Sequence, residues 1–175
     1  MDQSRKVWIA LGANLGDRFA NIAGGLAYLV ARGVELADCS GLYETAPVGY
    51  VEQPDFYNMV ALINASLEPL ELLGLCKQAE KVFLREKTFI NGPRTLDIDI
   101  LFFGDLVMDT PELTIPHPRI GQRAFVLGPL EDIGRDEIIR RGYSFNREGI
   151  KLVIPAREVK ERVQLLANAC YDKSR

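Results

Sequence analysis

The chain has 175 residues, 47% of them hydrophobic and 26% charged, with a formal net charge of −3 and a mean hydropathy near zero. These values favour one soluble domain, 1–175, and exclude a general attraction for nucleic acid, while no apolar run approaches the ~18 residues of a membrane helix. The first 17 residues lack the apolar core of a secretory signal, and three cysteines without CxxC spacing indicate neither disulfides nor zinc, so we expect a cytoplasmic protein.

Hydrophobic periodicity predicts the order strand, helix, strand, strand, helix, strand over the first hundred residues. The predicted segments are 6–12, 18–32 with Asp17 as its cap, 34–45, 56–65, 69–82 starting at Pro69, and an apolar run that ends at Phe103. This order is typical of the ferredoxin-like split βαβ fold, in which helices pack on one face of an antiparallel sheet. We therefore predict an α+β protein.

Beyond residue 103 the predicted elements are shorter. Gly104 and Asp105 permit a tight turn into a short pairing strand. The remaining pattern predicts a loop at 113–120, a short helix at 124–133, an edge strand at 151–154 and a closing amphipathic helix at 157–172.

The stretch GPRTLDIDILFFGD at residues 92–105 places two aspartates in an apolar run. Because side chains alternate along a strand, Asp97 and Asp99 share one face, about 6 to 7 Å apart, and Ile98 and Ile100 face the other way. Three interpretations compete. The two residues are salt-bridged or solvated acids with Arg94 as a partner, a general acid and base pair as in glycosidases, or a clamp for Mg²⁺.

Basic residues near the pair favour the magnesium interpretation. Arg85, Lys87 and Arg94 precede the aspartates, and Arg119 and Arg123 follow them. Cations beside carboxylates keep them ionised, which suits a metal bound next to phosphates and does not suit the protonated acid of a glycosidase. The sequence LGANLGDR has no lysine after its glycines, so a nucleotide must be held by side chains and not by a P-loop.

Four other candidate residues admit a structural or a functional interpretation. The single histidine, His117, lies between two prolines and is either incidental or a fixed phosphate ligand beside Arg119. Phe56, Asn58 and Phe125 are either core residues or the two aromatic faces and the amide that a flat heterocycle needs.

With these residues in view, the chain resembles the 6-hydroxymethyl-7,8-dihydropterin pyrophosphokinase family of folate biosynthesis. The resemblance rests on ALGANLGDR, LYETAPVGYVEQPDFYN, GPRTLDIDILFFGD and LTIPHPRIGQRAFVLGPL, in that order. It implies transfer of pyrophosphate from ATP to the hydroxymethyl group of the dihydropterin, with release of AMP. It also implies two Mg²⁺ ions as cofactors and ATP and the dihydropterin as partners. Nothing in the sequence indicates an obligate protein partner.

The resemblance further implies roles for individual residues. Asp97 and Asp99 would bind the metal ions, and catalysis would depend on this pair together with Arg85 and Arg94. The ATP-binding residues would be Lys77, Glu80, Lys87, Arg94, Ile100, Thr114, His117 and Arg123. The pterin-binding residues would be Thr45, Ala46, Val48, Phe56, Asn58 and Phe125, with the ring stacked between the two phenylalanines.

The chain departs from the family's pattern at Asn91, Glu112 and Pro118. Loops 45–55 and 85–93 flank the predicted site and contain glycine, proline and charged residues, so we expect them to close over bound ATP and exclude water. Two rival hypotheses are a noncatalytic ferredoxin-like module that binds a nucleotide or small metabolite, and a carboxylate glycosidase.

Overall fold

A computed structural model describes residues 4–83 and 91–172, and it contains strands of two antiparallel sheets. The strands in this part of the chain are β1 Arg5–Ala13, β2 Glu35–Cys39, β3 Leu42–Thr45, β4 Phe56–Ala65, β5 Asp97–Phe103, β6 Met108–Asp109, β7 Thr114–Ile115 and β8 Ile150–Ile154. The helices are α1 Arg18–Val30, α2 Pro69–Val82, α3 Ala124–Arg140 and α4 Ala156–Asp172, with a short 3-10 helix at Ile120–Gln122. No helix within these ranges combines the length and the apolarity of a membrane span.

The main sheet has the order β5-β1-β4-β3-β8, and β2 also pairs with β4. Strands β2 and β3 both pair with the same edge of β4, one after the other, and Ser40 and Gly41 separate them. Ser40 bridges this break, because its N–H donates to the Val60 carbonyl at 2.9 Å and its Oγ accepts the Val60 N–H at 3.0 Å. The arrangement confirms the predicted antiparallel, ferredoxin-like α+β fold.

The two faces of the sheet bury different sets of residues. On one face, alternate residues of β1, β4 and β5 pack against helices α1, α2 and α4, with Ile9, Ile63 and Ile98 fully buried. On the other face, Trp8 and Phe102 pack against α3. The expectation that helices cover only one face is therefore wrong for α3, and the reason is that large apolar side chains on the second face also need cover.

The short pairing strand predicted after Gly104 is confirmed as β6, which pairs with β7. Two expectations beyond residue 103 are changed. The predicted loop at 113–120 contains β7 and the start of the 3-10 helix, and the predicted short helix extends to Arg140 through a kink at Gly134, where φ is −142°. The predicted edge strand and closing helix are confirmed as β8 and α4.

Candidate active site

Small residues on β1 open a cleft on the α3 side of the sheet. Ala10 pairs with Asp99, and Gly12 pairs with both Asp97 and Asn58. Because neither β1 residue has a long side chain, the sheet surface between β4 and β5 stays free for a ligand. The cleft above it has a volume of about 640 Å³.

Asp97 and Asp99 both face this cleft, as strand alternation predicts, while Ile98 and Ile100 are buried in the core on the opposite face. Arg94 Nη1 lies 2.6 Å from Asp97 Oδ2, the ion pair that the salt-bridge interpretation named. Arg123 Nη1 lies 3.1 Å from Asp99 Oδ2. Each of the two carboxylates in the cleft therefore has a guanidinium group beside it, a set suited to a cation and phosphate oxygens together.

His117 is held beside Asp99 by main-chain contacts. The main-chain N–H of His117 donates to the Leu101 carbonyl at 3.0 Å. Its ring atom Nδ1 accepts the main-chain N–H of Arg119 at 3.2 Å. The ring proton is therefore on Nε2, which lies 3.8 Å from Asp99 Oδ2. Burial lowers the pKa of His117, and the cations Arg123 and Arg119 lower it further, while Asp99 opposes this shift. The imidazole is a neutral donor at pH 7.

The predicted pterin residues all line the cleft. They are Thr45, Ala46, Val48, Phe56, Asn58 and Phe125. Asn58 is buried, and its Nδ2 donates to Thr45 Oγ1 at 2.7 Å, so its amide orientation is fixed. The guanidinium carbon of Arg94 lies 5.4 Å from the centre of the Phe56 ring, and that of Arg123 lies 5.6 Å from the Phe125 ring. These residues offer aromatic faces and an oriented amide.

A second cavity of about 260 Å³ adjoins the cleft and contains most of the remaining predicted ATP residues. Ile100, Thr114, Glu112 and Pro118 line it, and Lys77, Asp99 and His117 line both cavities. Glu80 lines neither cavity and is buried. Arg85 and Lys87 lie outside the described residues, so their predicted roles stay predictions.

The structure also brings in residues that the sequence did not indicate. Asn14, in the loop after β1, accepts the Arg94 N–H through Oδ1 at 2.8 Å and donates through Nδ2 to Gln53 Oε1 at 2.9 Å. Gln53 Nε2 in turn donates to the Asn91 carbonyl at 2.8 Å. This network ties three loops together at the rim of the cleft. The sequence feature that could have indicated Asn14 is the polar loop in ALGANLGD, where Asn14 follows the small cleft residues Ala10 and Gly12.

The carboxylate oxygens in the cleft fit a hard cation that takes its remaining ligands from water and from the substrate. Among the described residues, no group of three or more histidine, cysteine or acidic side chains is placed to hold a metal ion. Two carboxylates on one face remain, and Mg²⁺ characteristically takes one or two carboxylates together with waters and substrate phosphates. Asp97 and Asp99 thus fit Mg²⁺ delivered with a nucleotide and do not form an all-protein cage.

Fold and cleft together define a class: a ferredoxin-like protein whose paired acids and arginines suit a phosphate ester bound with a divalent cation. Residues 8–135 match the family model of 7,8-dihydro-6-hydroxymethylpterin-pyrophosphokinase (HPPK). The chain belongs to this family, as the sequence motifs predicted.

Several known proteins are similar to the chain. The 2-amino-4-hydroxy-6-hydroxymethyldihydropteridine pyrophosphokinase of Bacillus subtilis is 44% identical over 127 residues, covering 72% of this chain and 76% of the relative. The protein of the same name from Pseudomonas aeruginosa is 40% identical over 133 residues, covering 75% of this chain and 82% of the relative. The folic acid synthesis protein fol1 of Pneumocystis carinii is 41% identical over 130 residues, or 74% of this chain, which spans only 18% of that protein's length.

Solved structures show the same fold. Wild-type HPPK-DHPS from Plasmodium falciparum matches with a TM-score of 0.60 at 16% identity, covering 95% of this chain and 44% of that chain. At this identity the match shows the shared fold alone.

Proposed function

We propose that the chain transfers pyrophosphate from ATP to the hydroxymethyl group of 6-hydroxymethyl-7,8-dihydropterin, giving AMP and the dihydropterin diphosphate for folate synthesis. Membership of the family supports the reaction. The observation that carries the assignment to this cleft is the pair Asp97 and Asp99 on one face of β5, each beside an arginine. Guanidinium groups bind phosphate oxygens, so an arginine beside each acid supports a phosphate-bearing substrate over a glycoside.

Asp97 and Asp99 would hold Mg²⁺, with two ions expected, and the metal would neutralise charge on the phosphates of ATP. The side chains Arg94, Arg123 and Lys77 supply further positive charge around the same point, and we include Arg85 and Lys87 in this role. His117 would donate a hydrogen bond from Nε2 to a phosphate oxygen. Since phosphoryl transfer depends mainly on position and charge, these residues would align the pterin hydroxyl with the β-phosphorus and stabilise charge there.

The nucleoside would occupy the second cavity, where Ile100 and Thr114 lie next to Lys77. Glu80, which the resemblance also implies as an ATP residue, is buried and does not line this cavity, so it would support the nucleoside site without lining it. The pterin would lie between Phe56 and Phe125, and Asn58 would read its ring edge, assisted by the backbone of Thr45, Ala46 and Val48. In this order the hydroxymethyl group would lie near Asp97 and Asp99, which is supported by Asp99 and His117 lining both cavities.

The direct test is formation of AMP and dihydropterin diphosphate by the purified chain, measured by chromatography. We expect turnover only when ATP, Mg²⁺ and the hydroxymethyl dihydropterin are all present, and complete loss with EDTA. A noncatalytic nucleotide-binding module would bind ATP and release no AMP under the same conditions. Either that result or AMP release that is independent of the pterin would contradict the proposal.

A further inference from the structure

Glu80 is a buried carboxylate next to the cleft, and it does not line either cavity. It lies in the last turns of α2 and is 3% exposed. A buried acid is costly unless hydrogen bonds and charge compensate for its lost hydration. The groups that contact Glu80 Oε1 therefore indicate what role this buried carboxylate has.

One contact is to the main chain of β5 between the two aspartates. Glu80 Oε1 accepts the Ile98 N–H at 2.9 Å. Strand β5 is at the end of the main sheet, and within residues 4–83 and 91–172 it pairs with β1 alone, so in this part of the chain no neighbouring strand bonds to this N–H. Glu80 thus fixes the backbone segment whose flanking residues are Asp97 and Asp99.

The second contact is to the side chain of Lys77, one turn earlier on α2. Lys77 Nζ lies 2.8 Å from the same Oε1 atom, and the lysine side chain is 45% exposed while that of Glu80 is 4% exposed. Lys77 lines both cavities, together with Asp99 and His117. One buried oxygen therefore orients both the aspartate strand and the ammonium group at the junction of the cavities.

We propose that Glu80 is a positioning residue, which sets the spacing of Asp97 and Asp99 and directs Lys77 toward the junction without itself touching the nucleotide. This inference rests on the proposed function of the cleft. It changes the role of Glu80 from a contact residue for ATP to a support for the groups that bind the cation and the phosphates. Supports of this kind typically change metal affinity or activity by about 10- to 100-fold when removed.

The test compares Glu80→Gln, Glu80→Ala and Lys77→Met. The amide of Glu80→Gln retains an acceptor for the Ile98 N–H and loses the charge that orients Lys77, so we expect a loss of kcat/KM equal to that of Lys77→Met and not additive with it. Glu80→Ala also removes the acceptor for the Ile98 N–H, and we expect kcat to fall by a further roughly tenfold. The affinity for Mn²⁺, measured by electron paramagnetic resonance with a nonhydrolysable ATP analogue, should weaken in parallel.

Glu71→Ala is the matched control, since Glu71 on the same helix also accepts a main-chain N–H, that of Glu68 at 2.8 Å, but is exposed and far along the helix from the cleft. It should lower the melting temperature and leave kcat and Mn²⁺ affinity unchanged. If Glu80→Ala behaves like Glu71→Ala, the role is only structural and the proposal is wrong. If both Glu80 variants lose ATP affinity equally with kcat intact, Glu80 contacts the nucleotide directly and the proposal is also wrong.

AMP formation by the wild-type protein distinguishes failure of the positioning role of Glu80 from failure of the proposed function. A wild type that forms no AMP contradicts the reaction itself, and the Mn²⁺ measurement still decides the role of Glu80. A wild type that turns over beside kinetically normal Glu80 variants contradicts the positioning role alone. Should Glu80→Ala fail to fold, the comparison of Glu80→Gln with Lys77→Met, singly and combined, decides between the outcomes.

Discussion

Gly12 lies between the residues proposed for the two substrates. It pairs with Asn58 and Asp97, and a Cβ at this position would lie 2.8 Å from Asn58 Oδ1. We expect Gly12→Ala to displace the Asn58 amide and raise the KM for the dihydropterin by about tenfold, because a site that reads polar groups discriminates strongly when its hydrogen bonds are disturbed. The KM for ATP should change much less. Steady-state kinetics with each substrate varied in turn provides the measurement.

The control for this change is Gly74→Ala on the exposed side of α2, where an added Cβ meets nothing within 4 Å. It should leave both KM values unchanged and stabilise the helix by about 0.5 to 1 kcal/mol. Equal KM values for the dihydropterin in the Gly12 and Gly74 variants would show that the cleft floor does not contribute to pterin binding.

Two buried thiols make the stability of the folded protein depend on pH in the alkaline range. Burial raises the pKa of Cys39 to about 11 and that of Cys76 to about 12, from an ordinary value of 9.0. Since the unfolded chain loses these protons first, the thiols contribute stability that is fully present below pH 9 and is lost as pH rises toward 11 and 12. We expect neither cysteine to react with a thiol reagent in the native state at pH 8, as measured by peptide mapping. Rapid native labelling at either position would contradict their burial.

Among single residues, the sequence predicted those whose position follows from local geometry. The shared face of Asp97 and Asp99 follows from strand alternation, and Arg94 is close enough along the chain to reach Asp97. Asn14 was not predicted, because its partners Gln53 and Arg94 are distant in the sequence and meet only when three loops converge. A polar residue in a loop has no periodicity that would indicate such a contact.

At the level of elements, helix α3 depends on its kink. Gly134 breaks the helical backbone over the indole of Trp8, and an added Cβ would lie 2.7 Å from the ring. Overpacking of a tight core contact costs about 1 to 3 kcal/mol. We expect Gly134→Ala to reduce the free energy of unfolding by this amount, measured by urea denaturation.

Ile139→Ala is the control on the same helix, because Ile139 is 66% exposed. Its free energy of unfolding should stay within about 0.5 kcal/mol of wild type, as for most surface changes. If Gly134→Ala is no less stable than this control, α3 does not pack on Trp8 as described.

The periodic elements of the first hundred residues were predictable, and the later ones were only partly so. Strand β4 occupies 56–65 as predicted, and α2 begins at Pro69, since apolar periodicity and an N-terminal proline act locally. The length of α3 was not predictable, because Pro129 and Gly134 disfavour a continuous helix, and its packing on Trp8 and Phe102 is not visible in the local sequence. The strand after Gly104 was predicted without a partner, since a turn does not specify which strand edge is free, and its pairing with β7 is seen only in the structure.

At the level of the whole molecule, the loops around the cleft form a coupled rim. Gln53 Nε2 donates to the Asn91 carbonyl, and Gly49 lies against the Asn91 side chain. We expect binding of a nonhydrolysable ATP analogue to slow hydrogen exchange in residues 46–55 and 91–94 together, because the network connects them. Residues 85–90 of the predicted closing loop lie outside the described residues. Equally fast exchange in both segments, with and without the analogue, would count against closure.

The central claim is that the two aspartates on one face of β5 bind the cation that accompanies ATP. The most direct measurement is the rate of Mg²⁺-dependent AMP formation by Asp97→Asn and Asp99→Asn, alongside their unfolding free energies. We predict that each change lowers kcat by at least about 100-fold, because a neutral amide attracts the cation far less than a carboxylate. The unfolding free energy should fall by only about 1 kcal/mol, since asparagine keeps an acceptor oxygen for the arginine in each partly buried pair. Turnover near the wild-type rate in either variant would contradict the account.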